Sequence, residues 1–264
     1  MEFYFVFEGL EFSKKYCDIM QAIKSEIFER IDEIESIFSS LSYNENAILL
    51  RLANGSRKLN KMYDPRFKSS LNSLLKTNFI KLEKTHESVP VALFGQKLSR
   101  ELRRYQVSDK IHFSKNFYHF YFKFIKANLN IIKNGDENEK NELLKEIQNK
   151  LESYYSLPFE LICADFLSLK LGIKREQISS YWNKNNEIDI FVNTNDLVIA
   201  GEVKYKAHKV CKSLLRELEE KCQNSAICPD FYVIFSKSGF SSELERLNAK
   251  NVLLFEPNDF KEVL

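Results

Sequence analysis

A mixed α+β fold, in part α/β, is predicted by three features. Apolar residues recur at three- and four-residue steps through the first half of the chain. In the second half, short β-type runs alternate with amphipathic helices. Seven Gly and five Pro in 264 residues are few, which favours long helices over an all-β architecture. This length suits one large domain or two modest ones. Hydrophobic residues at 44% and charged residues at 29% are ordinary for a soluble protein, and a net charge of +2 leaves any nucleic-acid argument to local charge.

Five cysteines without CxxC spacing, and four histidines not grouped with them, argue against a structural zinc site and for reduced thiols in a cytoplasm. The opening "MEFYFVF" has Glu2 in place of a basic leader and reads as a strand rather than a signal sequence. No apolar run approaches the roughly 20 residues that cross a bilayer, so a soluble, cytoplasmic protein is expected.

Residues 1–44 form an N-terminal amphipathic helical segment, with Tyr16, Ile19, Met20, Ile23, Ile27, Ile31, Ile34 and Phe38 on one stripe. Residues 45–95 read as helix, helix, helix and hairpin, the order of a winged helix-turn-helix. "NENAILLRLANG" starts at a capping Asn and stops at Gly55, "SRKLNKMY" follows, Pro65 leads into "DPRFKSSLNSLLKTNFI", and "FIKLEKTHESVPVALF" alternates. Between positions 51 and 84, nine basic residues face only Asp64 and Glu83. That asymmetry suits a phosphate backbone, with Arg57, Lys58, Lys61, Arg66, Lys68 and Asn72 as the expected DNA contacts and the third helix facing the groove. Residues 96–150 form a helical connector. "QKLSRELRRYQ" adds a second basic cluster, whereas the aromatic run from Phe117 to Phe124 reads as a buried core helix rather than a base-stacking platform.

From 151 to 264 the order is α-β-β-β-α-β-α-β. "LPFELICADFLSLKLG" is a helix with Pro158 in its first turn and Gly172 at its end. "QISSYW", "EIDIFV" and "LVIAGEVKYK" are strands, "VCKSLLRELEEKCQ" a helix, "DFYVIFS" a strand, "SSELERLNA" a helix and "NVLLFE" the last strand. Alternate strand residues share a face, so Glu187 with Asp189 and Glu202 with Lys204 are paired by position. If the two strands are partners, Asp189 lies near Glu202 and Lys204. Two close carboxylates repel, and desolvation adds to the penalty, which a divalent cation removes. Mg²⁺ or Mn²⁺ accepts few protein carboxylates and keeps waters, and a neighbouring lysine can orient or deprotonate water or steady charge on a phosphate.

An Asp followed about a dozen residues later by Glu-x-Lys on the next strand resembles the PD-(D/E)XK nuclease superfamily. Here it is Asp189 and then Glu202-Val203-Lys204, with Ile188 in place of the superfamily's proline. The resemblance implies a restriction-endonuclease-like αβββαβ core with a mixed sheet. It also implies Asp189, Glu202 and Glu160 as metal-side catalytic residues, with Lys204 on the attacking water or the phosphate. Glu187 is a weaker candidate. The segments "VPV", "FYFKFIKAN", "FELICADFL", "EIDIFV…GEVKYK" and "FSKSGFSSEL", over residues 45–264, further resemble the C-terminal region of a family of prokaryotic and archaeal ATPases. In that family a winged helix precedes a nuclease-like domain of unknown function. The family's GxxxxGK(S/T) phosphate loop is absent, so no nucleotide site is expected. The expected activity is metal-dependent phosphodiester hydrolysis on duplex DNA. The alternative is a catalytically inactive DNA-binding regulator or adaptor. A homodimer or a separate partner ATPase is the protein partner implied.

Overall fold

The computed structural model describes residues 1–11, 15–62, 67–88, 90–92, 94–247 and 249–262. The chain divides into two compact units, Met1–Lys84 with Ser108–Tyr154, and Thr85–Val107 with Tyr155–Leu264. In chain order the helices of the first half are α1 (Glu2–Phe7), α2 (Ile19–Ile23), α3 (Ile31–Ile37), α4 (Tyr43–Ala53), α5 (Leu59–Met62) and α6 (Lys68–Lys76). Strand β1 (Ile80–Glu83), α7 (Arg100–Arg103), β2 (Lys110–Phe113), α8 (Asn116–Phe120), α9 (Leu129–Asn134) and α10 (Glu137–Tyr154) follow. The second half holds α11 (Ser156–Leu171), β3 (Ile178–Trp182), β4 (Glu187–Asn193), β5 (Val198–Lys204), α12 (Lys212–Asn224), β6 (Phe231–Ser236), α13 (Ser242–Glu245) and β7 (Val252–Phe255). The whole is a mixed α+β chain with a helical N-terminal part and one five-stranded mixed sheet.

In the first unit the N-terminal segment corrects the expectation of a strand. Phe5, Val6 and Phe7 are consecutive and all buried, which a helix sunk into a core permits and a half-exposed strand does not. The Tyr154 hydroxyl donates to the Phe5 carbonyl at 3.0 Å, and the Phe117 N–H donates to the Glu8 carbonyl at 3.1 Å. The amphipathic stripe is interrupted as well as continued: α2 widens into a π-helical turn over Lys24–Phe28, and α3 restarts at Ile31, with Ile23, Ile27, Ile31, Ile34 and Phe38 all buried. Helix α4 begins at Tyr43 with Ser42 as its cap, earlier than the Asn44 expected. Glu45 completes a capping box, its carboxylate accepting the Ser42 N–H at 2.7 Å.

Strand β1 does not fold back on residues 87–94 as a local hairpin. It pairs antiparallel with β2, Ile80 opposite Phe113 and Glu83 opposite Lys110. Residues 85–107 lie in the second unit, where the Thr85 hydroxyl donates to the Trp182 carbonyl at 3.3 Å. The aromatic run is core: Phe117, Phe120, Tyr121, Phe122 and Phe124 are buried, with Phe38 stacked on Tyr121 at 4.1 Å between ring centres.

The second unit has the sheet order β3-β4-β5-β6-β7, antiparallel from β3 to β5 and parallel from β5 to β7. Helix α11 covers one face, where Phe166 meets Phe235 and Phe255 and Phe159 meets Tyr205. Helix α12 covers the other, where Leu218 and Cys222 pack with Tyr181, Ile188, Phe191 and Ala200. Because strand side chains alternate, Phe235 goes to α11 while Ile234 goes to Leu215 of α12. Gly172 ends α11 with φ +65°, the left-handed conformation that favours glycine there.

Candidate functional site

The five-stranded sheet places Asp189 on β4 and Glu202 and Lys204 on the adjacent β5. The ladder between these strands runs from Asn193–Val198 to Ile190–Gly201, and Asp189 and Glu202 come next in each strand beyond that last pair. There the Asp189 side chain replaces a backbone partner, its Oδ2 accepting the Val203 N–H at 2.9 Å. Gly201 permits the close approach of the strands. A Cβ at this position would lie 2.9 Å from the Ile190 Cβ and 3.0 Å from the Val233 carbonyl oxygen.

Glu202 is 4% exposed, and both of its oxygens are occupied. Lys204 Nζ donates to Oε1 at 2.7 Å, and Lys221 Nζ donates to Oε2 at 2.8 Å. The first contact follows from the i, i+2 spacing on one strand face. The second comes from α12, which packs on the same face as Ala200. Lys221 was not among the residues singled out from sequence. Its signal was nevertheless there: Leu215, Leu218 and Cys222 mark the buried stripe of α12, and position 221 borders that stripe, three residues after Leu218.

Burial, then the charge of Glu202, pushes the Asp189 carboxyl up to about 6, although the Val203 N–H and the two lysines favour its ionised form. Burial alone would lower the Lys204 pKa, but the hydrogen bond and charge of Glu202, with Asp189 and Glu160, raise it above the ordinary lysine value. Lys204 is therefore an ammonium group at neutral pH, suited to stabilising negative charge rather than to removing a proton from water. Glu160 sits half-buried on α11. Its charge acts on Lys204 and also on the fully buried Cys163, whose thiol is pushed up by burial and then by Glu160, Asp189 and Asp165. The fields of Glu160 and Asp189 thus converge on one region of the unit. Glu187 is exposed at the start of β4, opposite Trp182.

Among the described residues, no group of three or more His, Cys, Asp or Glu side chains is gathered closely enough to hold a metal ion. The donor set that exists is the carboxylate pair Asp189 and Glu202. This pair fits a hard cation that retains waters, since Mg²⁺ needs only one or two protein carboxylates. It would have to displace at least one lysine from Glu202.

The expected DNA contacts are distributed differently. Arg57 is half-buried, its Nη2 lying 3.1 Å from His112 Nδ1, and His112 in turn contacts Glu83. Arg57 is thus held inside the first unit. Lys58, Lys68 and Asn72 are exposed, the last two on α6. Lys61 belongs to α5, but its side chain, like the whole of Arg66, lies outside the described residues.

Residues 121–220 match a family described as archaeal and bacterial proteins of unknown function. The matched stretch contains Glu160, Asp189, Glu202 and Lys204 and ends one residue before Lys221. The chain is also similar to an uncharacterized protein of Methanocaldococcus jannaschii, 28% identical over 203 residues, which is 73% of this chain and 42% of that protein. The chain therefore spans less than half the length of that relative. No solved structure gives a significant match. No helix among the described residues is long and apolar enough to cross a membrane.

Proposed function

We propose that this chain is a DNA-binding protein whose second unit hydrolyses phosphodiester bonds with Mg²⁺ or Mn²⁺, in the manner of the PD-(D/E)XK nucleases. The observation that carries this reading is the Asp189 carboxyl, pushed up to about 6 beside the buried Glu202 on the neighbouring strand, with Lys204 two residues further on. Such a carboxylate pair is unfavourable by itself and becomes favourable when a divalent cation is bound. Asp189 and Glu202 would hold the ion, with Glu160 adding negative potential from α11. A bound ion of this kind supplies a water of lowered pKa and polarises a phosphoryl oxygen. Lys204, as an ammonium, would stabilise the charge that develops on the attacked phosphate, and Lys221 would orient Glu202 through its contact with Oε2.

In the first unit, the succession α4, α5, α6, β1, β2 supports a winged helix-turn-helix with a wing strand supplied from residues 110–113. Lys58, Lys68 and Asn72 would meet the duplex, with Arg57 holding the wing through His112. These residues would then correspond to the C-terminal part of an ATPase family.

A second reading is favoured by a specific observation. Glu202 already has an ammonium group on each oxygen, so the network is electrically compensated without a metal. A non-catalytic adaptor would keep it in that form. Incubation of supercoiled plasmid with purified protein and Mn²⁺ separates the two. The nuclease reading expects nicking that is lost in Asp189→Ala and in Lys204→Ala. Activity persisting in both variants, or no cleavage and no calorimetric Mn²⁺ binding by the wild type, would sink it.

A further inference from the structure

The second unit carries a basic surface that belongs neither to the carboxylate site nor to the basic face of residues 51–84. Residues 94–104, "FGQKLSRELRR", hold Lys97, Arg100, Arg103 and Arg104 against a single acidic residue, Glu101. All four basic side chains are exposed, and among the described residues none forms an ion pair with a carboxylate. Helix α7 is capped by Ser99, whose hydroxyl oxygen accepts the Leu102 N–H at 3.3 Å. It carries Arg100 and Arg103 at i and i+3, neighbours on one side of its single turn, and Arg104 follows directly as the residue that ends the helix. Like charges in that arrangement repel one another, and an external polyanion relieves the repulsion. Phe94 precedes them with its side chain fully exposed, at 108% of the reference value.

This segment is anchored on the sheet that carries the candidate site. Tyr105, directly after Arg104, donates its hydroxyl to Glu87 Oε1 at 2.6 Å, and Tyr181 of β3 donates to Glu87 Oε2 at 2.5 Å. The two ends of the excursion are thus tied together on β3, where Tyr181 pairs with Ile188, the residue before Asp189.

We propose that Phe94, Lys97, Arg100, Arg103 and Arg104 form a nucleic-acid contact surface that grips the backbone of single-stranded or locally opened DNA, with Phe94 stacking on an unpaired base. It takes the identity of the polyanion from the phosphodiesterase reading. Three exposed guanidinium groups within five residues suit bidentate contact with phosphates, and an exposed aromatic ring in the same segment suits a base released from its stack.

The test uses full-length protein in EDTA, so that binding is read without cleavage. Fluorescence anisotropy follows fluorescein-labelled single-stranded and duplex oligonucleotides over a salt series. Circular dichroism checks that each exposed-site variant keeps its fold. The combined variant Arg100→Ala, Arg103→Ala, Arg104→Ala should lower the slope of log K against log salt by roughly 2 units for single strands. Phe94→Leu should weaken single-strand binding about tenfold, while Phe94→Trp retains it. Wild-type affinity and slope in the arginine and Phe94→Leu variants would overturn the surface, as would failure of the wild type to bind either oligonucleotide. Polyglutamate competing as well as single-stranded DNA would also overturn it, reassigning the patch to an acidic protein. Plasmid cleavage with Mn²⁺ is scored separately. A wild type that binds through the surface but neither cuts nor binds Mn²⁺ by calorimetry leaves the inference standing and removes the nuclease reading. A wild type that cuts while the surface variants bind normally does the reverse.

Discussion

Tyr121 lies at the centre of the first unit's aromatic core, and its hydroxyl meets no hydrogen-bond partner among the described residues. A buried unpaired hydroxyl is destabilising, so Tyr121→Phe should raise stability by about 1 kcal/mol, read as a shifted denaturation midpoint. Gly201 is the opposite case. Its Cβ position is already occupied by Ile190 and the Val233 carbonyl oxygen, so Gly201→Ala should destabilise by about 1–3 kcal/mol through overpacking. His119 supplies a pH dependence. Burial, followed by the charge of Lys123, lowers its pKa from the ordinary histidine value to about 4. The unfolded chain therefore takes up this proton first as pH falls. The contribution of neutral His119 is fully present above pH 6.5 and is lost progressively down to about pH 4, an effect on the order of 3 kcal/mol. Urea midpoints measured across that window should fall in the wild type. They should fall less in His119→Phe, which keeps a ring against Phe113 and Tyr154.

At the level of elements, α12 decides the state of the carboxylate site. Its buried stripe of Leu215, Leu218 and Cys222 fixes its rotation on the sheet, and that rotation brings Lys221 to the far oxygen of Glu202. If Glu202 is a metal ligand, Lys221 and the cation compete for it. Lys221→Met should then tighten Mn²⁺ binding by calorimetry while lowering stability in EDTA, because a mostly buried carboxylate loses one of two compensating charges. Unchanged Mn²⁺ affinity in this variant would rule out competition at that oxygen. The pairing of β1 with β2 teaches a related lesson. "FIKLEKTHESVPVALF" alternates well enough to suggest a local hairpin, but alternation specifies strand character and not the partner. The partner is "KIHF", whose Ile111 is buried in the same unit as Ile80.

Across the whole molecule, a net charge of +2 hides a marked local imbalance. Basic residues are concentrated at 51–84 and 94–104, and acidic ones are spread over α3, α10 and α12. If these surfaces bind DNA as proposed, the binding should depend steeply on salt. For about four phosphate contacts on duplex DNA, affinity should fall on the order of 100-fold between about 50 and 200 mM salt. Filter binding or anisotropy over that range checks this, and a flat profile would show that the basic residues do not meet phosphates.

The sequence by itself determined the order of elements over residues 151–264, because Pro158, Gly172 and short β-branched runs mark boundaries that local chemistry enforces. It also placed Asp189 next to Glu202 and Lys204, since two adjacent strands with period-two alternation leave few alternatives. Tertiary structure alone decided that α1 is a helix, because the five-residue apolar run Phe3–Phe7 is compatible with either state until its core is known. It decided that Arg57 packs against His112, and that Lys221 completes the carboxylate network. Those outcomes depend on contacts between residues 55 and 19 positions apart, which no local pattern encodes.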